Sequence, residues 1–241
     1  MPKYDWSGSA ILQNAVIEHK RVVIGHPGEY IPTDLREWVT SPDSKVIREA
    51  LDAMEDLPRR KEPGTFDGRA REVWKFVAGH VQYVYDVESV KEVDFWQFPA
   101  ETLKLGKGDC EDCAFLLASL LIASGVSPFC VRVVFGRVSS SAYKPGGHAW
   151  PIYKDETGIW RILEATLSPK NIPEKWPAAD DVAKRGADPC YKPDLCANRN
   201  HVWAIGVEET IDVDAFLAKR MKRETSFPSD KVYAALKKRG S

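Results

Sequence analysis

Apolar residues recur at helical spacing most densely in one stretch. Cys113, Leu116, Leu117, Leu120 and Leu121 run out of Gly106-Lys107-Gly108-Asp109-Cys110. That pattern predicts a loop feeding a buried helix, with Cys110 in its first turn. Upstream, Val46, Ile47, Ala50, Leu51 and Met54 predict an amphipathic helix over 44–56. Val73, Phe76, Val77, His80 and Val81 share one side of a second helix over 67–83, and a short helix over 99–105 leads into the glycines. Val22-Val23-Ile24 reads as a short strand closed by Gly25-His26-Pro27-Gly28. Beyond Gly125, a helix stop, the pattern turns to Val and Phe. Strands are predicted over 129–138, 148–153 and 159–165, separated by a flexible turn over 139–147 and a hairpin turn at Asp155-Glu156-Thr157-Gly158. The segment 168–199, with Pro169, Pro173, Pro177, Pro189 and Pro193, reads as loop. A last strand over 202–207 and closing helices over 212–223 and 230–239 complete the chain. Helices followed by an antiparallel run of strands make an α+β fold.

Composition narrows the class. The chain has 241 residues, 44% hydrophobic and 29% charged, enough for a sizeable core without disulfide staples. A net charge of -1 gives no sign of a nucleic-acid partner. The basic excess of the last 27 residues, eight Lys/Arg against two Asp/Glu, reads as a solvated helix face. No apolar run is long enough for a transmembrane helix, and Met1 to Ser9 lacks the apolar core of a signal peptide. Five cysteines, an odd count, argue against a disulfide framework and for a reducing, cytoplasmic setting.

The candidate chemistry begins at Cys110. A cysteine at a helix N-terminus feels the positive end of the dipole, which favours the nucleophilic thiolate. Such a nucleophile needs a base, and the base needs an orienting group. His148 opens a strand after Gly146-Gly147, and Glu164 ends the next strand, where cross-strand neighbours come within hydrogen-bond reach. Trp150 is placed to wall the site, and the aromatic run from Val93 to Phe98, with Trp96, to line a cleft. Cys113, one turn on from Cys110, reads as core. A zinc site from Cys110-x-x-Cys113 and Cys190-x5-Cys196 is disfavoured, because the second spacing is too wide and the first lies on a helix.

The runs Gly-Asp-Cys110-Glu-Asp-Cys-Ala, Gly-Gly-His148-Ala-Trp and Trp-Arg-Ile-Leu-Glu164-Ala-Thr resemble the transglutaminase-like superfamily, most of all its bacterial cysteine-peptidase branch. The resemblance covers about residues 70–170. It implies a papain-like fold in which the cysteine-bearing helix packs on an antiparallel sheet, with additional helices at both ends. It places a core at 66–208, an extension with one helix at 1–65 and terminal helices at 209–241. It implies Cys110 as nucleophile, His148 as base and acid, and Glu164 where the family usually has Asp, with Asp155 as a fallback. An oxyanion donor is expected from the Cys110 N–H or from Gln97, since related proteins place Gln or Trp just upstream. The implied reaction is acyl transfer through a thioester on a protein or peptide substrate: hydrolysis, or cross-linking if a lysine amine replaces water. A non-catalytic binding module on the same fold is the alternative. No cofactor is required, although related proteins bind calcium through acids equivalent to Asp109, Glu111 and Asp112. The reading favoured here has those acids complement the helix dipole.

Overall fold

Helix α5 (Cys110–Ala123) is buried along its whole length, and the other elements are arranged around it. The computed structural model describes residues 4, 6, 18–23, 26, 29–39, 45–58, 65–89, 95–205 and 229–239. The expected helix over 212–223 lies outside them. Leu116, Leu117, Leu120 and Leu121 are fully buried. Burying each such side chain is worth roughly 1.5–3 kcal/mol. Three earlier helices surround or approach α5: α1 (Lys45–Asp52), α2 (Phe66–His80) and, after a short α3 (Asp86–Ser89), α4 (Pro99–Leu105). A hairpin of β1 (Glu18–Val22) and β2 (Tyr30–Asp34) precedes them. It pairs through the strand expected near Val22, shifted toward the N-terminus.

The tip of α5 is fixed by the chain just before it. Gly106 ends α4 in the left-handed region at φ 62°, where glycine carries no Cβ penalty. The next two residues, Lys107–Gly108 (β4), pair in parallel with Gln82–Tyr83 (β3), which the sequence assigned to the end of a helix. Gly108 has a steric reason to be glycine: a Cβ there would lie 2.7 Å from Asp112 Cβ and 2.8 Å from its Oδ2.

The main sheet has the order β7-β6-β5-β8-β9 and is antiparallel throughout. Its strands are β5 (Val131–Ser140), β6 (Tyr143–Lys154), β7 (Trp160–Ile162), β8 (Cys190–Ala197) and β9 (Val202–Ala204). Two expectations are corrected. The flexible turn over 139–147 shrinks to a tight connection, because Gly146 and Gly147 pair with Val138 and Arg137 inside the ladder. The proline-rich segment holds β8, a full partner of β5, with Pro193 at the point where the register shifts by one residue. Proline has no N–H for a ladder, so a bulge is where it is tolerated.

The two faces of the sheet carry two cores. Val131, Val133, Phe135, Ala149 and Leu195 pack with α5, while Val134, Val138, Trp150, Ile152 and Tyr191 form the second core. Leu35, Trp38 and Ile47 join the first, and Val232 of the final helix, α7 (Ser229–Arg239), joins the second. A short α6 (Ala179–Val182) lies between β7 and β8 in sequence. No described helix is long and apolar enough to cross a membrane.

Candidate active site

His148 lies on β6 opposite Gly136 of β5, and Glu164 lies just past the end of β7. The bond from Leu163 N–H to Pro151 O (3.1 Å) carries the β6–β7 pairing one step beyond β7. His148 Nε2 meets Glu164 Oε2 at 2.9 Å, and both side chains are at most 2% exposed. The carboxylate has further donors. Thr166 gives its N–H (3.2 Å) and Oγ1–H (2.9 Å) to Oε1, and Tyr191 gives its hydroxyl to Oε2 at 2.8 Å. The indole of Trp74 holds the Glu164 carbonyl at 2.9 Å. Burial alone would raise the Glu164 pKa, but His148, and then Tyr191 and Thr166, lower it below the ordinary carboxylate value. Glu164 is therefore an anion.

Cys110 is buried at the tip of α5, and its Sγ donates to Glu111 Oε2 at 2.9 Å. Cys113 is core, and its thiol is pushed well up by burial, then by Asp112, Asp109 and Glu164. Helix α5 packs against β6, the strand that carries His148. The five cysteines form no disulfide. Cys196 faces the guanidinium of Arg132 (3.9 Å), and Cys190 donates to Lys184 O (3.4 Å), far in character from a thiolate metal set.

Several predicted site residues do other work. Gln97 spends its amide hydrogens on Asp112 Oδ2 (2.7 Å) and Lys107 O (3.2 Å), and its backbone N–H on Asp112 Oδ1 (2.7 Å). These bonds tie Gln97 to Asp112 and to the residue before Gly108. Trp96 does not line a cleft: it is fully buried, 5.5 Å from Trp38 and 5.6 Å from Phe135 by ring centroids. Trp150 is also fully buried and backs His148, with ring centroids 6.0 Å apart and planes at 21°. Asp155 is bound to Arg161 (2.6 Å) and closes the hairpin turn, accepting from Ile159 N–H (2.8 Å). Periodicity could not show these roles, since each depends on a partner distant in the chain or on a local cap. Thr166 did carry a signal, because a threonine two residues after a carboxylate can fold back on it.

The acids around Cys110 are inside the protein. Asp109, Glu111 and Asp112 are at most 4% exposed, and Asp86 of α3 joins them at 4%. Oxygens of Asp86, Asp109 and Asp112 lie within 4.8 Å of one another, as do ligand atoms of Asp109, Cys110 and Glu111. Burial, and then the mutual repulsion of these carboxyls, raises the pKa values of Asp109 and Asp112 well above normal. Among the described residues, Asp109 Oδ1 is buried without a hydrogen-bond partner.

A cavity of about 350 Å³ adjoins the site, lined by Tyr83, Tyr85, Glu88, Thr166, Asp230 and Lys231. Tyr83 pairs with Gly108, two residues before Cys110, and Thr166 binds Glu164, so the cavity touches the surroundings of both. The Tyr85 phenol is raised by burial first, then by the charge of Cys110. This wall replaces the cleft expected from the run ending at Phe98.

Residues 54–165 match the sequence profile of the transglutaminase-like superfamily. The UPF0252 protein PH0672 of Pyrococcus horikoshii is 28% identical over 134 residues, 56% of this chain and 40% of that protein. The chain thus spans well under half the length of that curated relative. Among solved structures, calcium-bound LapG of Legionella pneumophila superposes with a TM-score of 0.46 at 20% identity, over 82% of this chain and 98% of LapG. A second Legionella pneumophila LapG structure gives a TM-score of 0.46 at 20% identity, over 78% of this chain and 94% of LapG.

Proposed function

We propose that the protein, whose residues 54–165 match the transglutaminase-like superfamily, is a thiol-dependent acyl-transfer enzyme that hydrolyses amide bonds of a protein or peptide substrate. The observation that carries this reading is the buried His148–Glu164 pair, 2.9 Å apart, beside the helix whose tip holds Cys110. A buried ionised carboxylate with four donors is costly to build, and orienting a histidine is a function that accounts for it.

The ionised Glu164 accepts a hydrogen bond from Nε2–H, so Nδ1 is the nitrogen that exchanges a proton with the nucleophile. Cys110 Sγ attacks the amide carbonyl carbon, and its proton passes to His148. The C–N bond breaks as His148 hands that proton to the leaving amine, which leaves a thioester. Water, deprotonated by His148, attacks the thioester carbon and releases the carboxylic acid and the thiol. The Cys110 N–H at the start of α5 is a donor that could serve the oxyanion. A lysine amine in place of water would give an isopeptide cross-link.

A divalent cation fits the acidic cluster. Calcium takes carboxylate oxygens, three acids converge within 4.8 Å, and Asp109 Oδ1 is a buried oxygen with no hydrogen bond among the described residues. Asp86, Asp109 and Asp112 would hold it. Bound there, the ion would offset buried negative charge that otherwise opposes a thiolate at Cys110.

The closed surroundings of Cys110 favour a second reading, a non-catalytic module, in one respect: its sulfur is fully buried and given to Glu111. Alkylation separates the two. Iodoacetamide at mildly acidic pH should modify wild type and Cys113→Ala alike, with Cys110→Ala unmodified and His148→Ala slowed at least tenfold. Mass spectrometry of the labelled peptides reads the result. Equal labelling in Cys110→Ala, or none in wild type with and without calcium, selects the binding module.

A further inference from the structure

Glu164 is held from two strands and, at one remove, from the final helix. Tyr191 of β8 donates to Oε2 at 2.8 Å, and the hydroxyls of Tyr191 and Tyr233 are 3.3 Å apart. We propose that Tyr191 is a positioning residue for the His148–Glu164 pair, and that Tyr233 of α7 sets Tyr191 in turn, so that the final helix is part of the catalytic apparatus. The proposal rests on the acyl-transfer reading, which is what gives Glu164 a task.

The order of protons follows from the acceptor at the end of the chain. An ionised carboxylate can only accept, so Tyr191 must donate to Glu164. The Tyr191 oxygen is then the acceptor for Tyr233, whose O–H points inward. The chain reads Tyr233 to Tyr191 to Glu164, with His148 Nε2–H arriving at the same Oε2 from the other side. Two donors on one oxygen fix its position in the plane where Nε2 must meet it. Bonds to an ionised acceptor are the stronger kind, and they fix geometry as well as energy.

Packing makes this arrangement directional. The Tyr191 ring is 1% exposed, meets Trp150 edge-on at 5.1 Å, and lies 6.4 Å from the His148 ring. Trp150 in turn stacks on His148, so ring packing and hydrogen bonds hold the same imidazole. Helix α7 is pinned independently of Tyr233. Asp230 Oδ1 accepts from Ser168 N–H (3.0 Å), Ser168 Oγ (2.9 Å) and Asn171 Nδ2 (2.7 Å), and Lys237 Nζ donates to Lys170 O at 2.9 Å. Ser168 follows Thr166 by two residues, so the segment that caps Glu164 also seats the helix that carries Tyr233. The titratable groups facing Glu164 are His148 from β6, Tyr191 from β8, Tyr233 from α7 and Cys113 from α5.

Nitrogen-15 and proton NMR of the imidazole, with carbon-13 NMR of the Glu164 carboxyl, test the chain. Tyr191→Phe keeps the ring and removes one donor. The Nε2–H resonance should move downfield, because Oε2 is then shared by one donor fewer. The Glu164 titration midpoint should rise by about one pH unit. Tyr233→Phe should move both in the same direction by less. Where the reaction can be followed, Tyr191→Phe should lose on the order of ten- to a hundredfold in kcat with KM little changed. An Nε2–H resonance and a Glu164 midpoint that stay in place in Tyr191→Phe overturn the proposal. Alkylation of wild-type Cys110 that ignores His148→Ala overturns the acyl-transfer reading instead, and the NMR result then still judges the hydrogen-bonded chain.

Discussion

At the scale of single residues, Glu164 shows most directly how burial and bonding compete. Burial raises its pKa, yet the bonds from His148, Tyr191 and Thr166 leave it below the ordinary value. A carboxyl with a depressed folded-state pKa contributes stability above its unfolded pKa, near 4.3, and that contribution is lost as pH falls through the folded value. Glu164→Gln keeps the shape and removes the charge, so it should cost on the order of 2–3 kcal/mol at pH 7. The cost should shrink below about pH 4.3 and vanish beneath the folded-state pKa. Urea denaturation of both proteins across this range checks it, and a cost independent of pH would mean that the charge contributes nothing. Cys110, His148 and Glu164 stood out in the sequence because each sits in a local pattern: a glycine-led helix start, a glycine pair before a strand, a strand end. The bonds of Gln97 and the packing of Trp96 had no local signal, because their partners Asp112 and Trp38 lie 15 and 58 positions away. Tyr191 carried no local signal at all, since its meaning depends on a strand that proline hides.

At the scale of elements, the longer helices α1, α2 and α5 were legible from their apolar spacing, and the short α3 and α6 and the strand β8 were not. Proline at 189 and 193 imitates a loop in one dimension, and only the bulge opposite Gly136 makes the strand possible in three. Gly136 sits where β5, β6 and β8 approach closely. A Cβ there would fall 2.2 Å from Lys192 O on β8 and 2.9 Å from Trp150 on β6, directly opposite His148. Gly136→Ala should therefore push β8 away and destabilise by about 2 kcal/mol or more. Gly79, in α2, gives the contrast: a Cβ meets only Pro169, at an ordinary 3.6 Å. Gly79→Ala should be neutral or stabilise by up to about 1 kcal/mol, through better helix propensity. Equilibrium unfolding of the two variants beside wild type gives both numbers. Equal effects would show that β8 does not constrain the site's geometry.

At the scale of the whole molecule, residues far apart in sequence share each core. Leu35, Trp38 and Ile47 belong with α5, and Val232 with the outer face of the sheet. The acidic cluster follows the same logic. The motif around Cys110 announced Asp109, Glu111 and Asp112, but not Asp86, which α3 brings in from 23 residues upstream of Asp109. Buried carboxyls this close repel one another, so without a cation the cluster weakens the fold that assembles it. A cation would instead tie α3 to the tip of α5. Calcium at a hundred times its dissociation constant should then stabilise the protein by about 2.7 kcal/mol, seen as a rise in Tm over the chelator-treated protein. Asp86→Asn tests the source of the effect. Asp86 Oδ2 accepts the Phe95 N–H at 2.6 Å, and asparagine can keep that bond while losing the charge. In chelator, Asp86→Asn should be as stable as wild type or more so, because one repelling charge is gone. In calcium it should gain little, while wild type gains fully. Should wild type show no calcium-dependent rise, or Asp86→Asn rise equally, the cluster holds no cation through Asp86. The buried acids would then be carried as neutral, proton-sharing groups beside Cys110.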